Sequence, residues 1–560
     1  MKEEMNMNKI LKFTAILLGA AVVATGCIKE PLPQGSGVIQ DQVAESPFAF
    51  SGIASSIPTS LITNYLGLGE HIDFGYPGLM GCTDRLVGDV FPACWYAGGN
   101  QYYDRFQPYM YNFSMSYTGS GPYFFWVSYY QFIKSANDLL SITEGGESED
   151  AKMYCGLGKA FRAMYYLDLV RLYDALPAKA PKNPAYETEL ARVQGLTVPW
   201  VDYNTTQEMS INNPRMTRKE AFDHILGDLT VAETNLANYE RATKALPSLA
   251  CVYGLLARTY LWLGGYTEEI EGIPTGTEAY KKAAEYARKA ITASGAAPMT
   301  KQEWTDPTTG FNTTVQAWMW SMIQTVDTVL NNLLSFTAHM SVESEWGYGF
   351  LAQPGLPKYA YERLSNTDFR KSLIKGEETT WEDMKDLTLL SEENWETVAP
   401  YAFFKFRPAG GETVNYTTGN VTDIPLMRVE EMYFIEMEAI AHYDEGTARN
   451  LLTSFMTSYR DEAYKVSPLA KSLIDESIFQ KRIEFWGEGI VYYDFKRLNM
   501  GINNGYDGSN APAGARWTTD GRAPWWNLVI PRSETSQNAP CAAYNNPNPQ
   551  DTYDSNDENI

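Results

Sequence analysis

The sequence predicts an all-α dominated body of tetratricopeptide-like helical hairpins, separated by long irregular loops. Three observations carry this reading. Apolar residues recur at helical spacing in several long segments. Two of those segments are joined by a short polar link, which favours antiparallel packing as a hairpin. A third carries a stripe of alanines that permits close helix contact, as in stacked hairpin repeats.

The elements follow in chain order. Residues 123–143 (YFFWVSYYQFIKSANDLLSIT) predict a helix. In residues 151–173, Met153, Leu157, Ala160, Phe161, Met164 and Leu167 share one face of the next helix. The link 144–150 is short and polar, so the two should form a hairpin. Thr217 and Glu220 have capping-box spacing and open a third helix, expected to run to about Tyr239. Residues 247–264 predict a fourth, with Pro247 near its start and Gly264 and Gly265 at its end. Residues 277–293 predict a fifth, with Ala279, Ala283, Ala287 and Ala290 on its small face. Residues 427–444 and 447–461 predict a further pair. Between them lie the irregular stretches 174–216, 294–426 and 500–560, rich in Gly, Pro, Asn, Trp and Tyr. Loops this long are functional or disordered, and their aromatic content argues against disorder.

The chain has 560 residues and a formal net charge of −23. Such an acidic body repels phosphate backbones, which argues against a nucleic-acid partner. Lys9 and Lys12 precede a short apolar run, and small residues then lead directly into Cys27. This resembles a bacterial lipoprotein signal and implies cleavage before Cys27, with lipid on its sulfur and new amino group. The apolar run is too short to span a bilayer. The expected organisation is a signal peptide over 1–26, a lipidated tether over 27–45, and one body over 46–560, with 294–426 and 500–560 as loop-rich insertions. Anchoring would then come from acyl chains inserted in an outer membrane. Without Cys27, five cysteines remain, so no complete disulfide framework exists. Cys155 and Cys251 fall in helical segments and read as buried thiols. Cys82 and Cys94 flank a loop and could pair in an oxidising compartment.

Six separate segments resemble the SusD/RagB family of outer-membrane nutrient-binding lipoproteins. The helix through Gly158, Phe161, Arg162, Tyr165 and Asp168 to Tyr173 is similar to a landmark helix of the family. Asn213-Pro214-Arg215 with Asp228, and Arg241 to Lys244 leading into residues 255–261, resemble the next two landmarks. Ile424-Pro425-Leu426 with Arg428 and Glu431 resembles a helix start, and Ile530-Pro531 with Glu534 a closing motif. Glu484, Glu488, Gly489, Asp494 and Arg497 resemble an ExxxEGxRxxDxxR signature, with Val491 where the family usually has Arg. The resemblance implies a SusD-like fold. It also implies a surface lipoprotein facing outward, capturing an oligosaccharide or a peptide as the lid of a TonB-dependent SusC-like barrel. Lys29-Glu30 after Cys27 resembles a signal for the outer face.

Physically, Arg162, Asp168, Arg171, Arg428, Glu430, Glu484, Asp494 and Arg497 are charges beside apolar helical faces. Charges so placed must pair or reach water, and structural ion pairs between hairpins are the expectation. No nucleophile elbow, phosphate-binding loop or HExxH pattern is present in the sequence. No enzymatic role, cofactor or metal is expected. His224 and His442 read as packing or surface residues. Residues 503–508 faintly resemble a calcium loop, but Gly514 stands where a bidentate Glu is needed. A surface glycoside hydrolase is the competing class and would need two carboxylates at a set separation.

A sugar site needs exposed aromatic rings with a few Asn, Asp or Arg side chains. Two segments have this mixture. Residues 89–100 (DVFPACWYAGGN) contain Asp89, Trp95, Tyr96 and Asn100; residues 345–350 (EWGYGF) contain Trp346 and Tyr348. In glycan-binding relatives, an aromatic loop before the first hairpin joins another after the third, and these segments resemble those places. The alternative is that Trp95 and Trp346 are buried loop anchors. Trp304, Trp525 and Trp526 are reserve candidates, whereas Trp318 and Trp320 lie in an alternating apolar run that reads as core.

Overall fold

The computed structural model describes residues 47–62, 64–65, 71–72, 75–93, 115–328, 335–512 and 516–553. Cys27, Cys94, Trp95, Tyr96, Asn100 and Gly514 lie outside the described residues.

Helices stack in chain order. α1 (Pro47–Ser60) packs on α3 (Ser120–Thr143), which packs on α4 (Glu149–Tyr173); α2 (Gly75–Leu86) lies between α1 and α3 in sequence. Beyond α4 come α5 (Arg218–Asn235), α6 (Leu249–Gly264) and α7 (Gly276–Ser294). The series continues with α8 (Val429–Ala441), α9 (Glu445–Tyr459), α10 (Leu473–Glu484) and α11 (Val491–Arg497). α4 packs on α5, α6 on α7, α7 on α8 and α8 on α9, as expected of stacked hairpins. No helix among the described residues is long and apolar enough to cross a membrane.

Local chemistry sets the helix boundaries. Ser148 caps α4 by accepting from the Ala151 amide, with Glu149 and Asp150 in the first turn. Thr217 and Glu220 form the expected reciprocal capping box. Glycines bring α4 close to both neighbours. A Cβ on Gly158 would lie 2.9 Å from Leu140 of α3, and one on Gly156 would lie 2.9 Å from Asn235 of α5. The alanine stripe of α7 is fully buried.

Two boundaries differ from expectation. α5 ends at Asn235, not near Tyr239, where the Asn235 amide donates to the Lys152 carbonyl and Leu236 leaves the helical region. Residues 424–428, read as a helix start, form a strand instead. This strand (Ile424–Arg428) pairs antiparallel with Trp318–Met322, and α8 begins only at Val429. Every residue of both strands is buried. The 294–426 stretch is also less irregular than its composition suggests, since it contains several helices of four to six residues.

The expected ion pairs form. Arg162 grips Asp228 through two parallel bonds of 2.7 and 2.9 Å, joining α4 to α5. Arg258 does the same to Glu431, joining α6 to α8. Arg171 pairs with Asp168, and Arg497 with Asp494. Arg428 meets Glu430, Glu484 and Glu488, while Arg460 and Arg370 also reach Glu484. This fully buried cluster ties the strand, α8 and α10 to the loop-rich segment. Val491, where an arginine was expected, is a buried apolar residue opening α11. His224 stacks on Trp200 at 4.0 Å and His442 on Tyr280 at 3.6 Å, so both are packing residues.

Candidate functional site

The chain just before the first predicted loop pairs with the chain just after the second. After α2, the chain forms a short strand, β1 (Phe91–Pro92), which pairs antiparallel with β2 (Pro354–Gly355). The Ala93 amide then donates to the Gln353 carbonyl at 2.8 Å. Ala93, the last described residue before Trp95, Tyr96 and Asn100, therefore lies beside the end of the helix that begins at Tyr348.

Backbone geometry shapes the second segment. Gly347 and Gly349 lie against the short helix Phe336–Met340: added Cβ atoms would meet the Ala338 oxygen at 2.7 Å and the Ser341 oxygen at 2.4 Å. Only glycine tolerates such an approach. The following helix, Tyr348–Ala352, ends at Gln353 with a φ of 45°. That left-handed residue is held by its own amide, which accepts from Ala399 N at 2.7 Å and donates to the Thr397 carbonyl.

Trp346 and Tyr348 are both half-buried. Trp346 Nε1 donates to the Glu412 carbonyl at 3.2 Å, and its ring lies against Gly419. The Nε1 edge thus anchors the loop, as one of the two expected readings has it. Tyr348 lies 5.0 Å from the His339 ring. The segment that holds Trp346 also presents Tyr416, which is 37% exposed. Sequence reasoning missed Tyr416, although the NYTTGN run at 415–420 has the aromatic-plus-amide mixture used to choose the other loops.

Asp89 differs from a surface hydrogen-bonding residue. It is buried, and both carboxylate oxygens accept from Arg482 Nε at 3.0 Å. Arg482 also meets the Tyr359 hydroxyl, and Trp486 Nε1 donates to the Asp89 carbonyl. Burial pushes the Asp89 carboxyl above its ordinary value, against the pull of Arg482. The pair fixes the base of the loop to α10.

The reserve candidates are interior. Trp304, Trp525 and Trp526 are at most 1% exposed. Trp304 sits among Arg428, Arg460 and Lys405, and Trp526 Nε1 donates to the Leu86 carbonyl. Trp318 and Trp320 are core, as expected. No group of three or more His, Cys, Asp or Glu side chains placed to hold a metal occurs among the described residues.

Comparison with known proteins bears on the fold. Residues 101–261 match a SusD-like family model described as starch-binding and associating with the outer membrane. A SusD-like carbohydrate-binding protein of Bacteroides vulgatus has a similar structure: TM-score 0.64 and 20% identity, over 88% of this chain and 97% of that one. A SusD superfamily protein of Bacteroides thetaiotaomicron gives 0.63 and 15%, over 88% and 98%. Surface glycan-binding protein A of the same species, solved with laminarihexaose, gives 0.60 and 15%, over 90% and 98%. No curated protein matches the chain by sequence. The fold is SusD-like, in agreement with the motifs read from the sequence.

Proposed function

We propose that this SusD-like chain is a cell-surface lipoprotein, anchored through Cys27, that captures an oligosaccharide and passes it to a TonB-dependent outer-membrane transporter. The observation that supports the reading is the β1–β2 pairing, which joins the residues just before 94–100 to the chain just after the Trp346 and Tyr348 segment. Trp346 and Tyr348 supply rings for the C–H faces of sugars; Trp95, Tyr96 and Asn100, outside the described residues, are proposed as further contacts on their residue types alone. Asp89 serves this site indirectly, by holding the loop base on Arg482. Rigid aromatic side chains lose little entropy on binding, so Trp346 and Tyr348 suit capture. The SusD-like family match and the laminarihexaose complex of a structural relative support a glycan over a peptide.

The test has two arms. A glycan array should give binding without turnover, and mild-detergent purification should bring down a TonB-dependent barrel. Turnover of a bound oligosaccharide would overturn the non-enzymatic reading. A clean monomer, under conditions that preserve lipoprotein–barrel pairs, would overturn the transport role.

A further inference from the structure

Trp346 is held by a compact turn that carries an exposed ring of its own. The turn runs from Glu412 to Gly419, and its own side chains lock it. Glu412 Oε1 accepts from the Val414 and Asn415 amides, both at 2.9 Å. Asn415 Oδ1 accepts from the Thr417 amide at 3.0 Å and from the Thr417 hydroxyl at 2.7 Å. Buried Asn420 then accepts from the Ser335 hydroxyl, at the start of the short helix Phe336–Met340.

The same turn meets Trp346 at two points. The Glu412 carbonyl accepts from Trp346 Nε1, and a Cβ on Gly419 would lie 3.0 Å from the indole. Tyr416 to Gly419 form one helical turn, in which positions three apart share a face. Tyr416 therefore projects on the side of the turn that meets Trp346. Neighbours at that spacing have Cβ atoms about 5–6 Å apart, so the Tyr416 Cβ stands within about 9 Å of the indole edge. The fold places this ring without using it. Tyr416 is exposed, and its side chain makes no hydrogen bond or ring contact among the described residues. A tyrosine held on a locked turn loses little entropy on binding, and its face suits the C–H face of a sugar.

The surrounding charge is of one sign. Residues 345–353 and 411–420 contain two carboxylates, Glu345 and Glu412, and no lysine or arginine. Hydrogen bonds from the Asn415 and Val414 amides hold the Glu412 carboxyl below its ordinary value, so it stays ionised. An acidic sugar would meet like charge on this turn.

We propose that Tyr416 is a further aromatic contact for a neutral oligosaccharide held at Trp346. The proposal rests on the glycan-capture reading and adds a binding residue and the charge class of the ligand. The test titrates the full chain by calorimetry with two probes. One is the neutral hexasaccharide bound most tightly on an array that includes laminarihexaose, maltohexaose, cellohexaose, mannohexaose and xylohexaose; the other is hexagalacturonate. Truncation of a stacked ring predicts about tenfold weaker binding of the neutral probe by Tyr416→Ala. Tyr416→Phe keeps the ring and should stay within about threefold of the wild type. Tyr416→Leu keeps apolar bulk without a flat face and should resemble Tyr416→Ala. Tyr443, exposed after α8, serves as a control, and Tyr443→Ala should leave affinity unchanged. Thermal melts of these variants should match the wild type, because neither side chain is buried. Four results overturn the proposal: Tyr416→Ala binding within about twofold of the wild type, Tyr416→Leu restoring affinity, hexagalacturonate binding more tightly than every neutral hexasaccharide, or Tyr416→Ala losing a co-purifying barrel while its glycan affinity is intact, which would make this a protein contact. In the first case, weakened binding by Trp346→Ala leaves the glycan-capture reading standing. That reading fails separately, if the wild type binds no member of the array.

Discussion

Replacing Trp346 by alanine tests the anchoring role and the binding role of this residue together. Full burial of a tryptophan would make the change cost about 3–5 kcal/mol. Trp346 is only half-buried, so about 2 kcal/mol is expected, of which about 1 belongs to the Nε1 bond to the Glu412 carbonyl. In a chain this long, that lowers Tm by only a few degrees. If the outward part of the ring stacks on ligand, affinity should fall by about 2 kcal/mol, or roughly 30-fold. Trp346→Phe separates the contributions: it keeps a ring but loses the N–H, so stability falls by about 1 kcal/mol while affinity changes by less than about threefold. Gly419→Ala approaches from behind. Its Cβ would stand 2.6 Å from the Glu412 oxygen and 3.0 Å from the Trp346 ring, displacing the ring without altering any side chain on the binding face. Calorimetric titration with a glycan identified on an array, beside thermal melts, reads both quantities. The reasoning is refuted if Trp346→Ala lowers Tm while affinity stays within twofold, for then the ring is only an anchor.

Asp89→Ala should cost about 3–5 kcal/mol in denaturant unfolding, because it leaves a nearly buried guanidinium without its carboxylate; a loss below 1 kcal/mol would contradict the structural role given to the pair. His442 supplies a pH dependence. Burial lowers it from an ordinary value near 6.5 to about 4 in the folded chain. Between those values the unfolded chain binds the extra proton, so this contribution is complete above about pH 6.5 and is lost as pH falls toward 4. It amounts to no more than about 3 kcal/mol, reduced by the solvent at its exposed edge. His442→Phe preserves the stack on Tyr280 and should show a smaller acid-side loss than the wild type; parallel pH curves would exclude the effect. For the anchor, labelled palmitate should incorporate into the wild type and not into Cys27→Ser, and antibody should stain intact cells; label persisting in the variant would remove lipidation at this residue.

The sequence made local features legible and left non-local ones hidden. The Thr217–Glu220 box and the alanine stripe of α7 are written within a few residues, and both form as expected. The strand Ile424–Arg428 was missed because its partner lies a hundred residues upstream, and a buried apolar run reads equally as helix or strand. The short helices of 294–426 were missed because segments of four to six residues have no intrinsic helical stability and depend on tertiary packing. The burial of Asp89 depends on Arg482, which lies 393 residues away in the chain, so its type and loop setting pointed toward solvent. Trp304 was similarly opaque: nothing nearby in sequence announces the three cations that surround its ring.

The buried charges bear on how such a chain can bind at all. Arg370, Arg428, Arg460 and Lys405 meet Asp368, Glu430, Glu484 and Glu488 in one solvent-excluded cluster. Buried ion pairs add little net stability over well-packed apolar residues, yet breaking one is costly, so each pair penalises any arrangement but its own. Here the partners come from the loop-rich segment on one side and from α8 and α10 on the other. A displacement of the loops relative to the hairpins would strand several charges at once. The segments that carry Trp346 and residues 89–93 are joined to this frame, through Gly355 and Ala402 on one side and Asp89 and Arg482 on the other. Association pays for ordering whatever is mobile, so a face fixed before the ligand arrives binds more tightly for the same contacts. The frame thereby holds the described part of the 335–426 segment in place, which its length alone would not.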